Sequence, residues 1–186
     1  KVFGDWVNDL GFYKFQQVTH HGIPMIIARM GYSRELCYEI FLQDRSKGNE
    51  LWELLWEAGQ EFQISAGGPN IILRLEGGIL SYLADIDRSN NPYEVGLDWL
   101  VDLDQEDDFI GKEALREISL NGPAKKLMGA EIHGDPILDS NADHWPVFID
   151  GKKVGTMNAM AYSPRFDKNI CYTILDIEHA KINQEI

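Results

Sequence analysis

Residues 76–111 read EGGILSYLADIDRSNNPYEVGLDWLVDLDQEDDFIG, and the punctuation of this passage decides how the chain divides. Gly77 and Gly78 permit close backbone approach or a positive φ, and Asn90-Asn91-Pro92 stops whatever precedes it. Gly111-Lys112-Glu113-Ala114-Leu115 then opens a helix behind an acidic run. A connection so dense in backbone instructions is read as a positioning loop, with mixed elements before it and strands after it.

Before the loop, strand and helix signals follow one another. Residues 5–10 suit one helical turn, started at Asp5 and closed at Gly11. Residues 12–19 are aromatic and β-branched, His20-His21-Gly22 turns, and residues 23–30 form an apolar run of the kind buried on both faces. Paired histidines beside a hairpin glycine, with no third ligand near them in sequence, read as solvated turn residues rather than metal ligands. After a second turn at 31–35, residues 36–42 alternate. Leu36, Tyr38, Ile40 and Leu42 share one face, and Cys37, Glu39 and Phe41 share the other. An acid between a thiol and an aromatic ring is either paired with an arginine elsewhere or serves a ligand, and both readings stand at this point.

Residues 49–58 carry Leu51, Leu54, Leu55 and Ala58 at helical spacing, with Asn49 as the expected cap and Gly59 as the stop. Trp52 and Trp56 make a neighbouring stripe, read as core or interface. A short strand is expected at 62–65 and a helix over 70–82 behind Pro69. Gly67-Gly68 lacks the GxGxxG or GK[ST] context of a nucleotide site.

Past the loop, a helix is expected over 112–118, and Asn121-Gly122-Pro123 breaks the chain, which predicts domains at 1–120 and 121–186. Strands are then expected at 126–133, 145–149, 153–161 and 170–175, with Asp150-Gly151 as a hairpin turn and Ser163-Pro164 as a corner. The fold class is α+β: helices against a mainly antiparallel sheet, followed by a small antiparallel β-barrel or jelly-roll-like module.

Composition narrows the function classes. The 186 residues are 44% hydrophobic and 25% charged, as in a soluble globular protein. A net charge of -13 argues against a nucleic-acid partner, which needs a basic face. No apolar run approaches the roughly 20 residues of a membrane span, so no membrane partner is expected. Cys37 and Cys171 stand far apart without a CxxC and read as reduced buried thiols, which points to a cytoplasmic or organellar-matrix setting. The chain begins Lys-Val-Phe-Gly without an initiator Met and is expected to be a piece of a longer protein.

Several blocks, in order along nearly the whole chain, resemble one family. Gly31-Tyr32-Ser33 followed by Tyr38-Glu39-Ile40 resembles the GYTGExGFEI segment of the glycine-cleavage T-protein family of folate-dependent one-carbon transferases. Leu73-Arg74-Leu75-Glu76-Gly77-Gly78 is similar to its LRLEAG, the run from Asn91 to Leu97 to its NPxExGL, and the run from Asp108 to Leu115 to its DFIGKEAL. Val154-Gly155-Thr156 and Tyr162-Ser163-Pro164 resemble the VGxVTSGxxSP of its last domain. The phrases GDWVNDLGF, AGGPNIILRLEGGILSY and NNPYEVGL look closest to the dimethylsulfoniopropionate demethylases of that family.

The resemblance implies the end of the family's folate-binding region followed by its C-terminal barrel, and tetrahydrofolate as cofactor. Glu39 matches the family's pterin-binding glutamate and Tyr32 the tyrosine of the same motif. No catalytic residue is expected here, because the family's catalytic aspartate lies in an N-terminal portion, so this piece alone is expected to be inactive. The implied partner is a small methyl or aminomethyl donor, with a lipoyl carrier protein if the chain is a true T-protein. Departures are present: Pro69-Asn70-Ile71 stands where the T-protein has ARD, and Arg34 and Cys37 replace motif glycines. The alternatives are an aminomethyltransferase of glycine cleavage and the C-terminal folate domain of a dimethylglycine or sarcosine dehydrogenase. An iron-sulfur assembly relative ranks below them, because its KGCYxGQ-type motif does not occur.

Overall fold

The structure, a computed structural model, describes residues 1–32, 35–68, 70–139 and 143–186. It divides into two compact units, Lys1–Asn70 and Ile71–Ile186. Residues 33–34 of the second turn and Pro69 at the expected helix start lie outside the described residues.

The first unit is a three-stranded antiparallel sheet in the order β1-β2-β3, built from β1 (Phe15–His20), β2 (Ile23–Ala28) and β3 (Glu39–Leu42). His21 and Gly22 both take positive φ, 49° and 72°, the pair a tight hairpin turn needs to match strand twist. The helices α1 (Trp6–Asp9) and α2 (Gly48–Gly59) flank the strands in sequence. The core is Ile23, Met25, Ile27 and Leu51, with Trp6, Leu10, Val18, Ile40, Leu42 and Leu55 packed around it. Side-chain parity explains the choice: Ile23, Met25 and Ile27 share one face of β2, opposite Leu42 and Ile40 of β3.

Several expected elements come out shorter. The first strand starts at Phe15, because Tyr13 takes a φ of 58° and turns the chain before it. The third starts at Glu39, and Leu36 is 72% exposed outside it. Asn49 does not cap α2; Asp44 caps a 3-10 turn, Arg45–Lys47, that runs straight into the helix. The strand expected at 62–65 is absent among the described residues, replaced by the 3-10 turn Gln60–Phe62 and a left-handed Gln63. His20 is not a solvated turn residue. It sits edge-on to the Phe3 ring at 5.3 Å, with Nε2 buried.

The second unit starts with α3 (Ile71–Glu76) rather than a helix over 70–82, because the backbone turns away at Gly77 and Gly78, the latter at φ 67°. The loop at 76–111 follows, then α4 (Lys112–Asn121), entered from Gly111 at φ 91°. A four-stranded antiparallel sheet closes the unit in the order β4-β7-β6-β5: β4 (Lys125–Ile132), β5 (Trp145–Ile149), β6 (Lys152–Ser163) and β7 (Lys168–Asp176). The β5–β6 hairpin turns on Asp150 and Gly151, again both at positive φ. Leu75 of α3 packs with Ala159, Ala161 and Tyr172 of the sheet, and Ile71, Ile72, Leu80 and Leu127 surround them. The α+β class with antiparallel sheets therefore holds.

The loop is tied down at several points. The Leu127 N–H donates to the Glu94 carbonyl at 2.7 Å, and the Asn158 side chain donates to the Asp85 carbonyl at 2.9 Å. A bulge at Ala159, φ 49°, re-aims Asn158 toward that carbonyl. Asn91 and Glu94 close a reciprocal pair, each side chain accepting from the other's backbone N–H. These bonds, with the packing of Leu75, hold the loop and α3 to the strands of the second unit.

Candidate functional site

Glu39 opens β3 directly opposite Ala28 of β2, which pairs in turn with Phe15 of β1. Register puts these side chains on the sheet face turned away from the core of the first unit. The arginine partner considered for Glu39 is absent: its carboxylate makes no hydrogen bond or ion pair among the described residues. Phe41 lies on the same face and is 50% exposed.

Tyr32 follows a glycine packed tightly against the Cys37 side chain. A Cβ added at Gly31 would lie 2.4 Å from Cys37 Sγ, so glycine is required for the chain to fold back on itself there. Tyr32 lies in the segment joining β2 to β3 and Glu39 is the first residue of β3, and Tyr32 is 47% exposed. On the core side of the same segment, the Tyr38 hydroxyl donates to the Val7 carbonyl at 2.7 Å and anchors β3 to α1. The start of β3 is held by Tyr38 while Glu39 faces outward.

In the second unit, Arg74 and Glu76 are structural. Arg74 is paired with Asp85 in the interior and also donates to the Ile79 carbonyl at 3.1 Å. The Glu76 carboxylate, 4% exposed, accepts from Ser163 Oγ at 2.5 Å and lies 3.4 Å from Arg165 Nε. The blocks around residues 73–78 and 162–164 therefore meet in space. The partners of Arg74 and Glu76 lie 11 and 87 positions away, beyond what local spacing in the sequence contains.

A cleft of about 310 Å³ lies between the loop and the strands, lined by Leu83, Asp85, Lys125, His144, Lys153 and Asn158 among others. At its rim Asp87 accepts from the Ser89 hydroxyl and N–H, and these bonds hold its carboxyl below the usual range. Cys171 is buried in β7, and burial pushes its thiol up to about 11, so it is a poor nucleophile at neutral pH.

A small antiparallel sheet bearing an outward carboxylate in the first unit, and a helix and loop anchored on another antiparallel sheet in the second, make an α+β chain of two units. Comparison with known proteins sharpens that class. The GCVT N-terminal domain matches residues 2–105, and the glycine cleavage T-protein C-terminal barrel domain matches residues 125–186. The chain belongs to the glycine cleavage T-protein family.

Among relatives, dimethylsulfoniopropionate demethylase DmdA of Ruegeria pomeroyi is 36% identical over 179 residues, covering 96% of this chain and 48% of that protein. An aminomethyltransferase of Bacillus cytotoxicus is 31% identical over 191 residues, covering 100% of this chain and 50% of that protein. The crystal structure of glycine cleavage system aminomethyltransferase T from Bartonella henselae superposes with a TM-score of 0.76 at 23% identity, covering 94% of this chain and 47% of that one. That likeness supports the fold. The chain spans about half the length of the curated relatives it matches. No helix among the described residues is long and apolar enough to cross a membrane.

Proposed function

We propose that this chain is the cofactor-gripping part of a tetrahydrofolate-dependent one-carbon transferase, with a methyl group as the unit moved and a dimethylsulfoniopropionate-type sulfonium as the donor. The observation that carries the reading is Glu39: a carboxylate without a partner among the described residues, at the start of a strand whose other face is locked into a core. The edge of a pterin offers an amino group and a ring N–H side by side. One carboxylate accepts both, and such charge-assisted pairs are the stronger kind. Tyr32 supplies an exposed ring and a hydroxyl on the segment that leads into that strand. The residues present therefore fit the group.

When bound, tetrahydrofolate supplies the nitrogen that receives the one-carbon unit. The role assigned to this chain is to hold that group in one orientation, because transfer depends on near-attack geometry. Tyr38, bonded to the Val7 carbonyl, keeps β3 from shifting and so keeps Glu39 aimed. A sulfonium donor is favoured over an aminomethyl donor by the higher identity to the demethylase, 36% against 31%. An aminomethyl donor would bring a lipoyl carrier protein as partner. Two free thiols fit a reducing, cytoplasmic setting.

Calorimetric titration of the protein with tetrahydrofolate tests the reading. Glu39→Gln is expected to weaken binding by about tenfold to a hundredfold, the usual loss when a hydrogen bond to a charged group is removed. Equal affinities would remove the argument. Folate-dependent turnover of dimethylsulfoniopropionate, set against turnover of an aminomethyl-loaded lipoyl carrier, separates the two donors.

A further inference from the structure

The outward face of the first unit's sheet is not the polar surface that an antiparallel sheet packed on one side ordinarily presents. Its register forms cross-strand rows: Phe15, Ala28 and Glu39 in one, then Gln17, Ile26 and Phe41 in the next. Beyond these, Thr19 pairs with Pro24, whose carbonyl accepts from the Gln43 N–H. The apolar side chains cluster at the Glu39 end, with Phe15 69% and Phe41 50% exposed and Ile26 half-buried. The polar ones gather at the other end, where the Gln17 side chain donates to that of Gln43 at 3.2 Å. An apolar surface around one unpartnered acid is a departure from the in-and-out alternation of the strand, and such departures concentrate at functional sites.

Resting on the folate reading above, we propose that Phe41 is a positioning residue for the cofactor: its ring is the platform against which the bound heterocycle stacks while Glu39 holds the heterocycle's edge. Residues two apart on a strand share a face and stand about 7 Å apart, which suits one group gripping an edge and the other supporting a flat body. Ala28 between the strands is covered, so the accessible apolar contact is made by the side chains rising around it. Phe15, at the far end of the Glu39 row, bounds the platform on the other side. The occupant this surface fits is a planar heteroaromatic with paired N–H donors on one edge, because a purely apolar partner would leave the Glu39 carboxylate buried and unpaired.

The test is calorimetric titration of the protein with tetrahydrofolate, kept reduced, across Glu39→Gln, Phe41→Ala, Phe41→Leu and Thr19→Ala. Phe41 and Thr19 are exposed, and circular dichroism checks that each variant folds. Phe41→Ala is expected to weaken binding about fivefold to tenfold, and Phe41→Leu less, because it keeps apolar area while losing the ring face. Thr19→Ala, in the polar row, should bind as wild type. If Glu39→Gln weakens binding and Phe41→Ala does not, the platform is wrong and the folate reading stands. If neither matters, both fall. A Phe41→Ala variant that changes self-association in sedimentation but not folate affinity would make this face a protein interface and overturn the inference.

Discussion

Arg74 and Asp85 form a buried ion pair, Arg74 Nη1 donating to Asp85 Oδ2 with the two side chains 6% and 0% exposed. The Ser81 N–H donates to the same carboxylate at 2.6 Å, and the Arg74 guanidinium stands 5.9 Å over the Tyr172 ring. The Tyr172 hydroxyl in turn lies 3.3 to 3.4 Å from the carbonyls of Arg74, Leu75 and Ile79, at the end of α3 and the turn that follows it. One charge pair thus holds α3, the loop and β7 in a single arrangement.

Breaking that pair from one side strands a charge. Arg74→Met is expected to cost about 3–5 kcal/mol, because the Asp85 carboxylate would remain buried without its partner. Replacing both, as Arg74→Met with Asp85→Leu, should cost clearly less than Arg74→Met alone. Urea unfolding followed by circular dichroism measures both, and an Arg74→Met protein that unfolds like wild type would show that the pair is not what secures α3.

Gly155 should not tolerate a side chain. A Cβ there would lie 2.4 Å from the Ile174 carbonyl oxygen and 3.1 Å from the Leu175 Cα, and these are backbone atoms that move only with the strand. Gly155→Ala is therefore expected to destabilise by about 1–3 kcal/mol, the range for overpacking a filled interior. The neighbouring Thr156→Ala should change little by comparison. Thermal melts of the two variants side by side decide it.

Much of this architecture was readable in advance, and the failures share a cause. The strands of the second unit fall within about two residues of the sequence expectation, because turn chemistry at Asp150-Gly151 and Asn121-Gly122-Pro123 is local and positive φ is written in the residue type. Propensity alone draws Phe12 and Leu36 into strands, yet both lie outside β1 and β3. Ala159's bulge leaves no local mark, since an alanine at φ 49° is stabilised only by what Asn158 gains across the loop. For the candidate site, parity in residues 36–42 put Glu39 and Phe41 on one face. That Phe15 shares this face depends on hairpin register, which parity within one strand does not contain.

Cys171 gives the protein an alkaline limit with a defined sign. Burial raises its thiol from 9.0 to about 11 in the native state. Between those values the unfolded chain gives up a proton that the native chain retains. The contribution is complete below about pH 9 and is lost as pH rises toward 11, amounting to about 2–3 kcal/mol. Cys171→Val removes this titration, so its stability should fall less steeply than wild type across that window. Parallel slopes would show that the buried thiol does not contribute.

Glu76 and Ser163 provide the sharpest test of how α3 is joined to the end of β6. Glu76 ends α3, Ser163 ends β6, and the Ser163 Oγ both donates to Glu76 Oε1 at 2.5 Å and accepts from the Phe166 N–H at 3.1 Å. Ser163 is fully buried, so Ser163→Ala leaves a carboxylate and a backbone N–H short of a partner at once. The expected loss is about 2–4 kcal/mol, the sum of a charge-assisted bond and an unsatisfied donor. Arg165 sits at the exposed side of the same carboxylate, and Arg165→Gln should cost less than 1 kcal/mol or so, as solvent replaces it. If Arg165→Gln proves the more damaging of the two, the carboxylate is held from the surface rather than from the strand, and the joint between α3 and the β6 corner has been assigned to the wrong residue.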